Sequence, residues 1–266
     1  MRVLRIFKDL LSFLTVIPLA KSESFLETSA KYMFLFPLVG GVMGLLISMY
    51  NYASKLFLAF VLSSLDAFRV LPESTMVRIF SAGATLAFIL VLTGLQHFDG
   101  LVDVGNAIGL SKMEERIKIA HAWIVTFRGA LLAVFIELLT FLGIFLLADM
   151  IFAVKALICS EVFAKLAMVT VAWFGKPGDS GLGSIFAKFN SKNRVNVTAY
   201  VISIIITMPL LGLTILPLTA MIFLLGLLME RVSENLFGRV SGDVIGATNE
   251  VARAVSLLLI VTLVCL

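Results

Sequence analysis

The chain has 266 residues, of which 60% are hydrophobic and 14% are charged, and its mean hydropathy is +1.07. A typical soluble domain is about 45–50% apolar and about 25% charged, so this composition excludes a soluble globular protein, a disordered chain and a coiled coil. Two cysteines are too few for a disulfide scaffold, and continuous apolar runs exclude an outer-membrane barrel. The net charge of +4 comes from scattered basic residues, which do not form the clustered basic face that nucleic-acid binding requires.

Apolar runs of nearly the length that a bilayer requires predict an all-α, polytopic membrane bundle that occupies residues 1–266 as one integral membrane domain. About seven transmembrane helices are expected. We interpret the apolar stretch 51–65, which contains Lys55, as an extension of the first span or an interfacial piece. The predicted spans are 33–50, 79–96, 129–148, 150–173, 197–213, 215–229 and 254–266.

The N-terminal segment, residues 1–20, combines basic and apolar residues at helical spacing. This pattern predicts a retained amphipathic helix at the membrane interface. The alternative is a cleaved signal peptide, but Lys21 and Glu23 follow in place of an A-x-A cleavage pattern. The residues that form the pattern are Arg2, Val3, Arg5, Phe7, Lys8, Leu10 and Leu14.

The distribution of basic residues predicts the orientation of the bundle. Four segments that the predicted topology places on one side hold 16 of the 21 Lys and Arg residues. Because cytoplasmic loops are enriched in Lys and Arg, we expect these loops to be cytoplasmic and the protein to lie in the cell membrane. The four segments are 1–31, 97–128, 174–196 and 230–253.

The first polar motif is T-G-L-Q-H-F-D-G-L-V-D-V-G-N-A-I-G-L at 93–110. On a helix, Asp99, Asp103 and Asn106 lie on one face. Two carboxylates held close together repel each other unless a cation lies between them, and their oxygens are ligands that Mg²⁺ prefers. His97 is interpreted as a base, a phosphate donor or a plain hydrogen-bonding group. The structural alternative for the motif is a solvated polar helix end.

The second polar motif is G-R-V-S-G-D-V-I-G-A-T-N-E at 238–250. Asp243 and Glu250 are seven residues apart and therefore share one helical face, with Thr248 adding a polar oxygen. The alternative interpretation is a helix N-terminus capped by Ser241, at which the helix dipole favours a carboxylate. Capping and metal binding are compatible.

A third segment, 174–192, is rich in glycine and serine and contains Lys176 and Lys188. These lysines and the backbone N–H groups suit phosphate, although the order of a P-loop is absent. The alternative is a flexible loop. Within the predicted spans, Glu161 and Lys165 are four residues apart, and we expect them to neutralise each other along one helix.

Five runs resemble, in order, those of the cobalamin synthases, also called adenosylcobinamide-GDP ribazoletransferases. The resemblance covers essentially the whole chain. It departs from the family at Asn106, where the family usually has an aspartate, and at 120–125, where A-H-A-W-I-V replaces a K-D-S-R-like segment and His121 lies near the expected aspartate. The runs are FLTVIPL at 13–19, YMFLFPLVGGVMG at 32–44, HFDGLVD at 97–103, GLGSIFAK at 181–188 and GDVIGATNE at 242–250.

The resemblance implies a Mg²⁺-dependent transfer. A hydroxyl of α-ribazole, or of its 5′-phosphate, attacks adenosylcobinamide-GDP, GMP leaves, and adenosylcobalamin or its 5′-phosphate forms. The implied catalytic residues are His97, Asp99, Asp103 and Asp243; the implied metal ligands are Asp99, Asp103, Asp243 and Glu250; and the implied substrate contacts are Asn106, Lys176, Lys188, Thr248 and Glu250. The implied partners are the two substrates, membrane lipid, a second copy of the chain and other enzymes of cobalamin synthesis.

Three alternatives are weighed against this hypothesis. A CDP-alcohol phosphotransferase would need Ala-Arg after the Asp99-Gly100 motif and a second half that the chain lacks. A transporter would use Glu137, Glu161 and Lys165 to line an ion path near the middle of the membrane. The third alternative is a catalytically silent partner of other cobalamin enzymes, favoured by the departure at 120–125.

Overall fold

The computed structural model describes residues 2–19, 24–64, 72–120 and 122–265, and in these ranges it contains twelve α-helices and no strand. The predicted all-α class is therefore confirmed. The helices are α1 (Arg2–Leu14), α2 (Phe25–Lys31), α3 (Phe36–Ser63), α4 (Glu73–Leu92), α5 (Gln96–Ala107), α6 (Met113–Ala120), α7 (Phe127–Leu146), α8 (Met150–Phe174), α9 (Leu182–Asn190), α10 (Val197–Leu211), α11 (Ile215–Phe237) and α12 (Gly242–Cys265).

Six helical segments among the described residues are long and apolar enough to cross a membrane. The prediction of seven spans is not confirmed, because 197–213 and 215–229 fall within one segment of 44 residues. That segment folds back on itself at Gly212, whose φ is +65°. The rings of Tyr200 on α10 and Phe223 on α11 are 6.0 Å apart, whereas 23 residues of continuous helix would separate them by about 35 Å. The six segments are Met33–Ser63, Glu73–Leu92, Phe127–Leu146, Met150–Phe174, Arg194–Phe237 and Gly242–Leu263.

Helix α8 is the central element of the bundle, and α3, α10, α11 and α12 pack around it. Helix α3 approaches α8 closely, and its Gly40 and Gly44 lie against the α8 backbone. A Cβ atom added at Gly40 would lie 2.6 Å from the carbonyl oxygen of Glu161. Gly40 and Gly44 form a G-x-x-x-G pattern, and this contact shows that the pattern serves helix packing, as small residues do between membrane helices.

Two further predictions concern the N-terminal helix and the extension of the first span. Helix α1 forms at the N-terminus, with Leu10 and Leu14 buried and Val3 exposed. The retention of α1 and its place at the membrane interface stay predictions. Helix α3 continues without a break to Ser63, so residues 51–63 extend the first span. The buried Lys55 on this extension donates a hydrogen bond of 2.8 Å to the carbonyl oxygen of Leu147.

The polar segments predicted to share one side meet at one end of the bundle. The backbone N–H of Val16 donates to Leu92 at the end of α4, and the Asn190 amide of α9 donates to the carbonyl of Ala30. One correction to the charge count is required, because Arg253 lies fully buried inside α12 and not in a loop. Fifteen of the 21 basic residues therefore remain in the segments assigned to this side.

Candidate active site

Helix α5 carries the first acidic motif across the end of the bundle. The chain leaves α4 through a turn in which Gly94 and Leu95 both have positive φ, +61° and +60°. This turn redirects the chain into α5, whose Gly100 is buried against α12, while Asp99 is exposed and Asp103 is half-buried. The two aspartates therefore lie on the accessible part of a helix that is otherwise packed.

The second acidic motif begins α12 directly beside α5. A Cβ atom at Gly100 would lie 2.5 Å from the carbonyl oxygen of Asp243, so only glycine allows the two helices to approach this closely. The Ser241 hydroxyl donates a 2.8 Å hydrogen bond to the Asp243 carboxylate and accepts one of 3.2 Å from the Asp243 N–H. Ser241 therefore caps the start of α12 and orients Asp243, as the capping alternative expected.

The two acidic motifs, whose pocket-lining aspartates are at least 140 residues apart in the chain, line one pocket. This acidic pocket has a volume of about 190 Å³ and contains all three predicted aspartates. Its lining residues are Asp99, Asp103, Ala120, Trp123 and Asp243. The structure therefore brings together Asp99, Asp103 and Asp243.

A second pocket of about 210 Å³ shares Asp99 and Asp243 with the acidic pocket and adds a cation, Arg239. We refer to it as the arginine pocket. The third polar segment reaches it through Ser180 and Gly183. The arginine pocket is lined by Gln96, Asp99, Gly100, Ser180, Gly181, Leu182, Gly183, Arg239, Val240, Ser241, Gly242 and Asp243.

Backbone contacts hold the loop that carries Arg239. The N–H of Val240 donates to the carbonyl of Lys176 at 3.0 Å, and the Ser233 hydroxyl donates to the carbonyl of Arg239 at 2.8 Å. Sequence reasoning did not select Arg239, although it lies within the second polar motif. An arginine next to a carboxylate pocket has the donor geometry that phosphate oxygens accept.

The donor set of the acidic pocket fits a magnesium ion that is shared with a substrate. Among the described residues, no group of three or more His, Cys, Asp or Glu side chains is gathered tightly enough to hold a metal by itself. Mg²⁺ is usually bound by one or two carboxylates, together with water and substrate phosphates. Three aspartates around an open pocket provide that kind of partial site.

His97 lies behind the pocket lining, on the side of α5 that faces α12. It is buried, and its Nδ1 is 3.6 Å from Oε1 of Glu250. Burial, reinforced by the positive charges of Lys165 and Arg253, holds the pKa of His97 well below its ordinary value. The imidazole is therefore neutral near pH 7, and its position favours packing against α12 over contact with substrate.

We expect His97 to make the folded state sensitive to acid. Its pKa is lower in the folded state than in the unfolded state. Below about pH 6.5, His97 is therefore protonated in the unfolded chain while it stays neutral in the folded chain. The stability that the neutral imidazole contributes is complete above that pH and is lost as the pH falls. In detergent, the free energy of unfolding of His97→Gln relative to wild type should rise by up to about 1.4 kcal/mol per pH unit below 6.5.

The control for this measurement is Lys112→Gln, a change at an exposed side chain on the same side of the bundle. Its pH profile should follow that of the wild type. A difference between His97→Gln and wild type that stays constant from pH 7.5 to pH 5 would contradict the neutral, buried histidine.

Three predicted substrate or metal contacts lie deeper in the bundle. Glu250 is fully buried and forms an ion pair with Arg253. The buried Thr248 hydroxyl donates to the carbonyl of Val244 at 2.6 Å. Asn106 is buried and hydrogen-bonded to the loop that precedes α7. The structure does not bring these three side chains together with the three aspartates.

The two predicted phosphate-binding lysines lie outside both pockets. Lys176 forms an ion pair of 2.5 Å with Glu234 of α11, which raises the pKa of Lys176. Lys188 is exposed on α9. The segment 174–192 therefore reaches the arginine pocket through residues that include Ser180 and Gly183. The predicted Lys176 and Lys188 do not line that pocket.

A network of buried charges lies inside the bundle beneath this site. Lys165 and Glu161 pair at 2.5 Å, which confirms the predicted pairing along α8. Arg253 of α12 donates to both Glu161 and Glu250, so it links the two helices. His97 approaches the network through Glu250. The charges of Glu161, Lys165, Glu250 and Arg253 are mutually paired, as buried charges in membrane proteins usually are.

An all-helical bundle with six apolar segments long enough to cross a membrane and an acidic pocket at one end is the architecture of a polytopic membrane protein. The chain belongs to the cobalamin-5-phosphate synthase family, whose family model matches residues 6–261. The members of this family are transferases of cobalamin biosynthesis.

Curated relatives that are all named adenosylcobinamide-GDP ribazoletransferase align with nearly the whole chain. The chain is 30% identical to the adenosylcobinamide-GDP ribazoletransferase of Methanocella arvoryzae, over 93% of this chain and 91% of the relative. It is 29% identical to that of Methanococcoides burtonii, over 93% and 88%, and 28% identical to that of Methanosarcina mazei, over 96% and 90%. No solved structure matches the chain.

Proposed function

We propose that this chain is an adenosylcobinamide-GDP ribazoletransferase that works at the two adjoining pockets. It would join adenosylcobinamide-GDP to α-ribazole, or to α-ribazole 5′-phosphate, in assembly of the cobalamin nucleotide loop. The proposal is supported by membership of the family and by the names of the relatives. The single observation that carries it is the meeting of Asp99 and Asp103 with Asp243 in one pocket.

The reaction converts the phosphoanhydride of the GDP-linked substrate into a phosphodiester. A ribazole hydroxyl oxygen forms a bond to the cobinamide-side phosphorus, the bridging P–O bond of the diphosphate breaks, and GMP leaves with the electron pair. The hydroxyl proton would pass to water or to a carboxylate of the acidic pocket as the new bond forms. Because the charge lies mainly on phosphoryl oxygens, the protein contributes mostly by positioning groups and by electrostatic stabilisation.

The arrangement of the side chains suggests which residues contact which part of the substrates. Asp99 and Asp243 lie in both pockets, at the point where the reacting phosphorus would be placed. Arg239 would bind the phosphate oxygens of the leaving nucleotide in the arginine pocket. The start of α9, with its free backbone N–H groups, adds a further contact for an anion.

Magnesium is part of this proposal. Asp99, Asp103 and Asp243 would hold Mg²⁺, and the bound ion would offset the negative charge of the diphosphate and of the departing phosphate. Without a cation, an acidic pocket would repel an anionic substrate. Glu250 is left out of the ligand set because it is fully buried and paired with Arg253.

The orientation of the site also belongs to the proposal. The pockets lie at the end of the bundle that holds most of the basic residues, which favours a cytoplasmic site in the cell membrane. The bulky, amphiphilic corrinoid would then lie at the inner membrane surface, against lipid. Association with a second copy of the chain or with other enzymes of the pathway stays a prediction.

The test of the proposed function is an assay of the purified full chain in liposomes. With adenosylcobinamide-GDP, α-ribazole and Mg²⁺, we expect a cobalamin product and an equal amount of GMP. Chelation of Mg²⁺ should stop both, and added Mg²⁺ should restore them. Absence of both products from folded protein, with either ribazole or its 5′-phosphate, would contradict the proposal.

A further inference from the structure

An exposed tryptophan forms one wall of the acidic pocket. Trp123 lies in the short connection between α6 and α7, and it lines the pocket together with the three aspartates. Its side chain is 96% exposed, which is unusual for the largest apolar residue type. Its backbone has a φ of +51°, a conformation that a bulky residue adopts at a cost.

The position of this tryptophan is fixed by a buried amide. The Asn106 side chain donates to the carbonyl of Ile124 at 2.7 Å, and its carbonyl oxygen accepts from the N–H and the hydroxyl of Thr126 at 2.9 and 2.7 Å. Asn106 is only 3% exposed, so its end of these bonds is buried, while Ile124 and Thr126 lie closer to the surface. The residues directly after Trp123 are therefore held against α5, and Trp123 is held next to Asp99 and Asp103.

The remaining apolar residues of this connection behave differently. Ile124, Val125 and Phe127 are exposed but lie outside the pocket lining. Their exposure suits the membrane interface, where aromatic and aliphatic side chains are common. Trp123 differs from them because it lines the pocket that contains the three aspartates, where it could contact a bound substrate.

The chemistry of that ligand follows from the proposed reaction, on which this inference rests. Both substrates carry a flat aromatic base, the base of ribazole and the guanine of GDP. The base of ribazole is separated by one ribose from the hydroxyl that reacts, and guanine is separated by a ribose and the departing phosphate from the phosphorus that reacts. An exposed indole is a surface on which such a base stacks.

We propose that Trp123 is a substrate-binding residue on which the aromatic base of a nucleotide or nucleoside substrate stacks, with Asn106 as its positioning residue. The expected occupant is the base of ribazole or guanine. The stacked base would orient the adjoining ribose and phosphate over Asp99, Asp103 and Asp243. If the occupant is ribazole, Trp123 would also contribute to the choice of lower base.

Kinetics of three variants in liposomes test this proposal. Trp123→Ala should raise KM for one base-bearing substrate by about tenfold or more, with a smaller change in kcat, because stacking on an aromatic side chain is lost. Trp123→Phe should recover much of that loss. The control is Phe127→Ala, an aromatic of the same connection that is 81% exposed outside the pocket, and its KM values should stay near wild type.

The affected substrate identifies the base. A raised KM for α-ribazole with unchanged inhibition by GMP assigns ribazole, whereas weakened inhibition by GMP with an unchanged KM for α-ribazole assigns guanine. Unchanged values for both overturn the stacking proposal. Equal losses of kcat in Trp123→Ala and Trp123→Phe with no change of KM also overturn it.

Fluorescence separates this proposal from the proposed function and from a lipid contact. In Trp173→Phe, Trp123 is the remaining tryptophan. Added α-ribazole or GMP should quench its emission even if no transfer occurs, so a failed transfer assay does not decide the stacking proposal. Quenching by brominated lipid that neither compound relieves would show membrane insertion and contradict stacking.

Discussion

Replacing Asp99 by Asn should reduce the rate of GMP release by about 10²–10³-fold or more, and replacing Asp243 by Asn should have a similar effect. The expected loss matches what removal of one well-placed electrostatic group costs an enzyme. Both aspartates line both pockets. Asparagine keeps the size of the side chain and removes the charge that would hold Mg²⁺ against the diphosphate. GMP release from purified variants in liposomes measures this effect.

The matched control for the aspartate variants is Glu115→Gln. Glu115 lies on α6 at the same end of the bundle, and its ion pair with Lys112 is at the surface. Surface pairs of this kind contribute little, so the activity should stay close to wild type. Near-normal turnover in both Asp99→Asn and Asp243→Asn would contradict a catalytic role for the acidic pocket.

Replacing Arg253 by Met should destabilise the fold by about 3–5 kcal/mol, the usual cost of leaving a buried charge without its partner. Arg253 is fully buried and binds both Glu161 and Glu250. Without Arg253, Glu161 would be paired only with Lys165, and Glu250 would lose its charged partner. Chemical unfolding of the purified protein in detergent measures the change.

The control is Arg231→Met, which also removes an arginine with two acidic neighbours, Glu230 and Glu234, but one whose side chain is 72% exposed. Its stability should change little because water screens the pair. Adding Glu250→Gln to Arg253→Met should recover part of the loss, since it removes a buried charge that has no cation. Equal stability of Arg253→Met and wild type would contradict the buried network.

Periodicity and composition were sufficient to predict the helical class and the acidic motifs. They also assigned to the site two residues that lie two helical turns further along their helices, outside the pocket. Asn106 follows Asp99 by seven residues, and Glu250 follows Asp243 by seven. Seven residues return to the same helical face, but they also advance about 10 Å along the axis. That advance takes both side chains out of the pocket, Asn106 to the loop before α7 and Glu250 to Arg253.

The pocket residues that sequence reasoning missed depend on how distant segments meet. Trp123 lies in a connection with no helical period, and its place beside the aspartates follows from the bonds that Asn106 makes. Arg239 reaches the arginine pocket because its loop is fixed by Ser233 and by the backbone of Lys176. No local pattern specifies such contacts, since they arise only once the helices are packed.

Binding of Mn²⁺, measured by electron paramagnetic resonance, tests most directly the claim that two distant acidic motifs share one divalent cation. The wild-type protein, saturated with adenosylcobinamide-GDP, should bind Mn²⁺ and lose it to excess Mg²⁺. Asp99→Asn and Asp243→Asn should each weaken that binding, while Glu115→Gln should not. Equal Mn²⁺ binding by wild type and both aspartate variants would contradict the claim.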